Sequence, residues 1–164
     1  MWKNGKPREL FNRVSEANSV FVERNNMYVV GMVYPVRKKR DFYMGGEILI
    51  TSHFLWKNRS VKRIVSSMST AYSVFVDKKS VYVTIGDVLA SVEVNKDRIY
   101  LSDEWSGARS VFVKDNNVYV VGYIEYDRFS DFTHPIERAT LWINYEPQTL
   151  SIEESVAYSV YVVK

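Results

Sequence analysis

Residues Ser110 to Gly122 read "SVFVKDNNVYVVG", and the same hairpin is written as "SVFVERNNMYVVG" from Ser19 and as "SVFVDKKSVYVTIG" from Ser73. In each copy two apolar-rich runs flank a polar segment such as "KDNN", the pattern of antiparallel strands joined by a tight turn. A fourth copy begins as "SVYVVK" at Ser159. Repetition of this kind is read before any single residue, because it decides whether the core lies within a unit or between units.

The register reaches well beyond the hairpin. With Ser19, Ser73, Ser110 and Ser159 as anchors, a tyrosine follows nine residues later in three units (Tyr28, Tyr82, Tyr119), and an alanine stands two residues ahead in all four (Ala17, Ala71, Ala108, Ala157). Seventeen residues ahead come Trp2, Trp56, Glu93 and Trp142. Two residues after these stand Asn4, Asn58, Asn95 and Asn144, and eight after them Leu10, Ile64, Leu101 and Leu150.

The anchors are 54, 37 and 49 residues apart. All of the variation falls between the tyrosine run and the tryptophan run, so a surface connection belongs there. Each unit is expected to hold four short strands, with the asparagine in the turn between the third and fourth, since its side chain bonds nearby backbone and tolerates positive φ. Four-stranded units of this length predict an all-β chain: a single β-propeller domain over 1–164, with units at about 19–72, 73–109 and 110–158. A closing unit combines 159–164 with 1–18, so that the N-terminal strands and the C-terminal strand share the fourth of four blades. The repeated Trp, Tyr and Phe then pack blade on blade. The closing unit has no copy of the "VYVVG" run, which leaves two readings: a monomer with a three-stranded blade, or a homodimer through the incomplete unit.

The runs "SVFV", "NNVYVVGY", "FLWKNRS" and "MWKNGKP" resemble the "SIFV, DVYVAG, YWKNG" repeats of many bacterial propeller-like proteins. The resemblance covers nearly the whole chain and implies a β-propeller; it carries no activity, substrate or catalytic residue. The unit from Ser73 to Arg109 departs from it, with Glu93 at the tryptophan position and "VEVNKDRIYL" in place of "LWKN"; Trp105 is expected to repack nearby.

Composition agrees with β structure. Of 164 residues, 46% are hydrophobic, and the 12 Tyr, 8 Phe and 4 Trp suit half-buried pleated surfaces. The absence of cysteine excludes disulfides, thiolate metal sites and a cysteine nucleophile. No Gly-rich phosphate loop and no nucleophile elbow is present. His53 and His134 stand apart from carboxylate clusters, so neither a metal nor a cofactor is expected. A net charge of +3 is small, and "RKKR" at Arg37 to Arg40 reads as a solvated loop. "GMVYPVRKKRDFYMGG" mixes basic and aromatic residues as a single-stranded nucleic acid partner would need, but "EYDRFSDFTHPIE" on the other insert leans acidic, so nucleic acid is not the expected partner. No apolar run approaches the roughly 20 residues of a membrane span, and "WKNG" follows Met1 directly, so the chain reads as soluble, its compartment undetermined.

In a propeller the connections from strand two to three and from strand four to the next strand one share one face. That face would collect the inserts about Tyr34 to His53 and Tyr123 to Arg138 with "RVSEANS", "SSMSTAYS", "SDEWSGARS" and "SIEESVAYS". Between the recurrent Ala and Ser lies a residue that changes from unit to unit: Asn18, Tyr72, Arg109 and Tyr158. With Trp105 these form the expected ligand-binding set, offering aromatic faces for a sugar ring and donors for hydroxyls or a carboxylate. The reading is a non-enzymatic module for a carbohydrate or protein ligand. Two alternatives stand beside it: a carbohydrate-active enzyme using Asp103, Glu104, Glu153 or Glu154, and a structural piece of a larger repeat protein.

Overall fold

The computed structural model describes residues 2–7, 9–34, 38–40, 47–49, 52–58, 60–66, 69–86, 88–126 and 135–163. These residues are all-β, with no helix among them. They fall into two compact units, Met1–Ala71 and Tyr72–Lys164.

In the first unit, a short hairpin of β1 (Trp2–Lys3) and β2 (Lys6–Pro7) precedes a four-stranded antiparallel meander. Its strands β3 (Ser15–Glu23), β4 (Asn26–Val33), β7 (Ser52–Lys57) and β8 (Ser60–Ser66) pair in that order. A small hairpin of β5 (Lys38–Arg40) and β6 (Glu47–Leu49) occupies the insert between β4 and β7. The insert expected as loop therefore carries strands of its own.

The second unit repeats the meander twice. Strands β9 (Thr70–Asp77), β10 (Ser80–Gly86), β11 (Ser91–Val94) and β12 (Asp97–Tyr100) form one; β13 (Ser106–Lys114), β14 (Asn117–Tyr126), β15 (Ile136–Ile143) and β16 (Glu146–Thr149) form the other. A bridge at Gly86 opposite Gly107 joins β10 to β13, so all eight belong to one curled, half-barrel sheet. The strand-one runs start earlier than the anchors, at Ser15 and Ser106. The second insert is strand as far as Tyr126 and again from Ile136.

Each recurrent residue has a physical reason. The asparagines Asn4, Asn58, Asn95 and Asn144 all have positive φ, between 51° and 59°. In three units the turn is also pinned to strand two. The Asn144 backbone N–H donates to the Val118 carbonyl at 2.8 Å, and its Oδ1 accepts the Val118 N–H at 2.9 Å. Asn58 makes the same pair of bonds to Met27, and Asn95 to Val81. The glycine closing the tyrosine run faces the Ala-x-Ser step, where strand one carries a bulge: Ala17/Ser19 in β3 and Ala108/Ser110 in β13. The bulge pushes a carbonyl over the opposing residue, so a Cβ on Gly31 would strike the Glu16 oxygen and one on Gly122 the Gly107 oxygen.

The core of the second unit lies between its two meanders. Ala90, Val92 and Leu101 from the first pack with Ala108, Val111, Val113, Val120, Ile124 and Trp142 from the second. Trp142 is fully buried and donates its indole N–H to the Leu101 carbonyl at 3.0 Å. The tryptophan of one repeat thus caps the end of the preceding one, satisfying its only polar atom while burying its rings. Phe75 and Phe112, equivalent positions of β9 and β13, meet at 4.8 Å between ring centroids, and Tyr161, equivalent again, meets Phe112 at 5.0 Å. Glu93 takes the tryptophan place in β11 at 8% exposure, opposite Arg98 of β12. Trp105 stays at the surface, 38% exposed, rather than sinking into the core there.

Replacing Asn144 separates the two tasks of the turn residue. Asn144→Ala loses the side-chain bonds to Val118 and Asn117 and strains a left-handed backbone, and is expected to cost about 2 kcal/mol; Asn144→Gly loses only these bonds and should cost about 1 kcal/mol. Urea unfolding followed by tryptophan fluorescence gives both values, and equal losses would contradict the role assigned to backbone strain.

Candidate functional site

The bulge decides which side chain leaves the alternation of strand one. Asn18 and Arg109 are the extra residues of their bulges, and Tyr72 holds the same place in β9. A bulge residue lies outside the ladder and its side chain is re-aimed at the strand end, which is why the sequence can vary there without disturbing pairing.

In the second unit, two such residues meet. The Arg109 guanidinium lies over the Tyr72 ring at 4.3 Å from its centroid and over the Tyr123 ring at 5.4 Å, so the cation is within cation–π reach of both. Two paired glycines make room for the rings. A Cβ on Gly86 would come within 2.5 Å of Tyr72 Cε2, and one on Gly107 within 2.6 Å of Tyr123 Cε1. Buried Thr84 ties the two strands that carry the pair: its hydroxyl accepts the Ser73 N–H at 3.0 Å and donates to the Arg109 carbonyl at 3.4 Å. The Arg109 Nε is buried without a hydrogen-bond partner among the described residues.

Beyond Tyr123 the same sheet face carries carboxylates. Glu125 of β14 stands directly opposite Glu137 of β15, and Tyr123 opposite Ala139. Like charges facing across a ladder repel. Burial, first, and the Glu125 charge, second, raise the Glu137 carboxyl above its ordinary range, with Glu154 adding to the effect and Arg109 opposing it. Burial also raises the Tyr123 phenol, which the Arg109 charge partly offsets. The chain after β16 closes along this face: Ser155 donates its N–H to the Glu137 carbonyl at 2.7 Å, and Ala157 to the Gly122 carbonyl at 3.1 Å.

The other expected residues are placed differently. Asn18 lies in the first unit and donates its amide to the Ala71 carbonyl at 2.8 Å, a backbone tie. Tyr158 is 70% exposed. Trp105 contributes its carbonyl, which accepts the Glu125 N–H at 2.7 Å. Asp103, Glu104, Glu153 and Glu154 are exposed in loops that serines hold. The Ser106 hydroxyl accepts the Ala90 N–H and donates to the Glu104 carbonyl, and the Ser155 hydroxyl does the same with Ala139 and Glu153. This serine recurs four residues before every anchor, as Ser15, Ser69, Ser106 and Ser155, a signal the sequence reading passed over. Tyr123, Glu125 and Glu137 lie in or beside the insert that the anchor spacing assigns to a surface connection; continuing the alternation outward from Gly122 and Trp142 puts them on one face.

His53 lies in β7 and is only 1% exposed; burial lowers its pKa, and neither ring nitrogen has a hydrogen-bond partner among the described residues. His134, Arg37 and much of both inserts lie outside the described residues. Among the described residues no group of three or more His, Asp or Glu side chains could hold a metal ion. The first unit has a pocket of about 580 Å³ lined by residues that include Ala17, Val29, Phe54 and Trp56. Neither a protein-family model nor a curated protein matches the chain, and the chemistry rests on its own residues.

A carboxyl whose folded pKa is raised binds more protons folded than unfolded, so its contribution to stability falls as pH rises from about 4.5, the ordinary glutamate value, through the folded pKa. Glu137→Gln removes that decline. Relative to the wild type the variant should gain stability as pH rises above about 4.5, by denaturant unfolding at several pH values; a constant difference would refute the raised Glu137 carboxyl and with it the burial and charge assigned to it.

Proposed function

We propose that the chain is a four-bladed β-propeller that acts as a binding module, and that its ligand is a carbohydrate recognised around the bulge residues of the strand-one runs. The observation that carries this reading is Arg109 lying over the rings of both Tyr72 and Tyr123 where two strands meet at paired glycines. Tyrosine faces suit the C–H face of a pyranose, and the carboxylates alongside accept hydrogen bonds from hydroxyls. The scaffold residues recur while the bulge residues differ from repeat to repeat, as expected where one architecture presents an individual site. Closure of the ring by 159–164 with 1–18, as a monomer or through a homodimer, belongs to the same proposal.

A glycan array tests it. Selective binding of a glycan class is expected, lost on Tyr72→Ala and weakened at least about fivefold, roughly 1 kcal/mol, by Tyr158→Ala. The latter replaces an exposed side chain and should leave unfolding free energy within about 0.5 kcal/mol. Binding to no glycan removes the carbohydrate reading and turns the search to protein partners. Unchanged binding by both variants removes the site.

The Glu125 and Glu137 pair favours a second reading, a carbohydrate-active enzyme, since the two carboxyl groups face each other across the ladder and burial, with the Glu125 charge, holds the Glu137 carboxyl above its ordinary range, as a general acid needs. Release of new reducing ends from a glycan panel, abolished by Glu137→Gln, would establish turnover at this pair. No release by the wild-type chain would leave the module non-enzymatic.

A further inference from the structure

One face of the first meander differs from its copies. Val20 of β3 stands opposite Val29 of β4, and Val29 opposite Trp56 of β7; the same row in the third meander is Val111, Val120 and Trp142. Every member of that second row is buried, whereas Val20 is 55% exposed. Val22 is 61% exposed, while its counterparts Val76 and Val113 are buried. The same residue types on the same face are covered in the copies and open to water here, so what differs is the neighbour.

The second unit shows what such a neighbour supplies. The cluster that buries Val111 and Val113 takes in Ala90, Val92 and Leu101 of the preceding meander, and Phe75 of strand one, Tyr82 of strand two and Val94 of strand three pack against it. In the first unit Leu10 holds the place of Leu101, and it lines the hollow of about 580 Å³ together with Pro7, Ala17, Val29 and Trp56. In the register of the repeats the hairpin β1–β2 holds the places of strands three and four. Among the described residues β1 pairs with β2 alone, whereas its counterparts β7, β11 and β15 pair on both sides. The rim of the hollow carries charges of both signs, Glu9, Arg13 and Glu16, so apolar fit and main-chain pairing select what docks there rather than net charge.

We propose that this face docks an extended segment of another polypeptide by strand addition, the segment pairing with the edge of β1 and laying a tyrosine and an alternate aliphatic side chain over Val20 and Val22. The face continues the interface that the second and third meanders already form. The register follows from the repeats: the tyrosine of strand two stands opposite Lys57, Val94 or Ile143 in the three meanders, and Lys3 is the equivalent residue of β1. A folded second copy has no such strand to give, because β4, β10 and β14 are each paired on both sides. The partner is therefore a different chain carrying a segment of the Tyr-Val-Val type. In the ring proposed above this is the strand that the closing unit lacks, but the docking face needs only the first unit and does not rest on the carbohydrate reading.

The probe is a fluorescein-labelled peptide with the β14 sequence, NVYVVGYIEY, flanked by lysines for solubility, titrated with the full chain and followed by fluorescence anisotropy. Two controls accompany it: a scrambled peptide of the same composition, and the same sequence N-methylated at alternate backbone amides, which keeps the side chains and removes main-chain donors. The native sequence should bind saturably at one peptide per chain and about tenfold or more tighter than either control, a difference of about 1.4 kcal/mol. Val20→Thr/Val22→Thr should weaken it at least about fivefold. Threonine keeps the β-branched preference for a strand at these exposed positions, and far-ultraviolet circular dichroism of the variant verifies its fold. No binding, equal binding of the scrambled or the N-methylated peptide, or full binding by the Val20→Thr/Val22→Thr variant overturns the proposal. None of these results bears on the glycan array, whose variants Tyr72→Ala and Tyr158→Ala lie in the second unit.

Discussion

The bulge in strand one is the constraint on which the rest of the structure depends. At Ala17/Ser19 and at Ala108/Ser110 one extra residue enters the strand. Its insertion swings the Glu16 and Gly107 carbonyls over the neighbouring strand, and only a residue without Cβ fits beneath them, hence Gly31 and Gly122. The same insertion releases Arg109 from the ladder and turns it toward the tyrosines. A single backbone irregularity thus sets both a scaffold requirement and a site. In β10 the buried Thr84 stands where the other tyrosine runs carry Val30 and Val121, and its hydroxyl joins the Ser73 N–H to the Arg109 carbonyl. A buried hydroxyl is tolerated there because both of its bonds are made.

Around this feature, repeat-to-repeat cohesion comes from side chains that belong to one meander but complete another. Trp142 buries its ring system among Ala90, Val92 and Leu101 and caps the Leu101 carbonyl. Ser106 and Ser155 hold the connection into strand one against the start of strand three. A four-stranded meander has two faces and too little of its own surface to bury both, so such contacts decide whether it is stable at all. Glu93 shows how much variation they tolerate: a carboxylate occupies the tryptophan place at 8% exposure, in register with Arg98 across the strand pair.

The face beside Arg109 follows from a different balance. Its rings sit over glycines, its cation lies within cation–π reach of Tyr72 and Tyr123, and Glu125 and Glu137 face each other across the ladder. The exposed acidic loops, which look more like a catalytic pair in one dimension, are instead occupied with hydrogen bonds of their backbone to neighbouring serines.

The sequence by itself determined the all-β class, the three four-stranded meanders and the positive-φ turns, because these depend on local alternation and on residues such as Asn144 whose conformational preference acts at its own position. It also singled out the Ala-x-Ser residues as the variable points of an otherwise regular register. Only the tertiary structure decided that Arg109 pairs with Tyr72 while Asn18 ties down backbone, and that Tyr123, Glu125 and Glu137 share their face. Those relations depend on strand register across a long insert and on a bulge that changes the direction of one side chain. Neither leaves a periodic trace in the chain, since an insertion shifts the alternation by one residue and the two sides of an insert are brought together only by pairing.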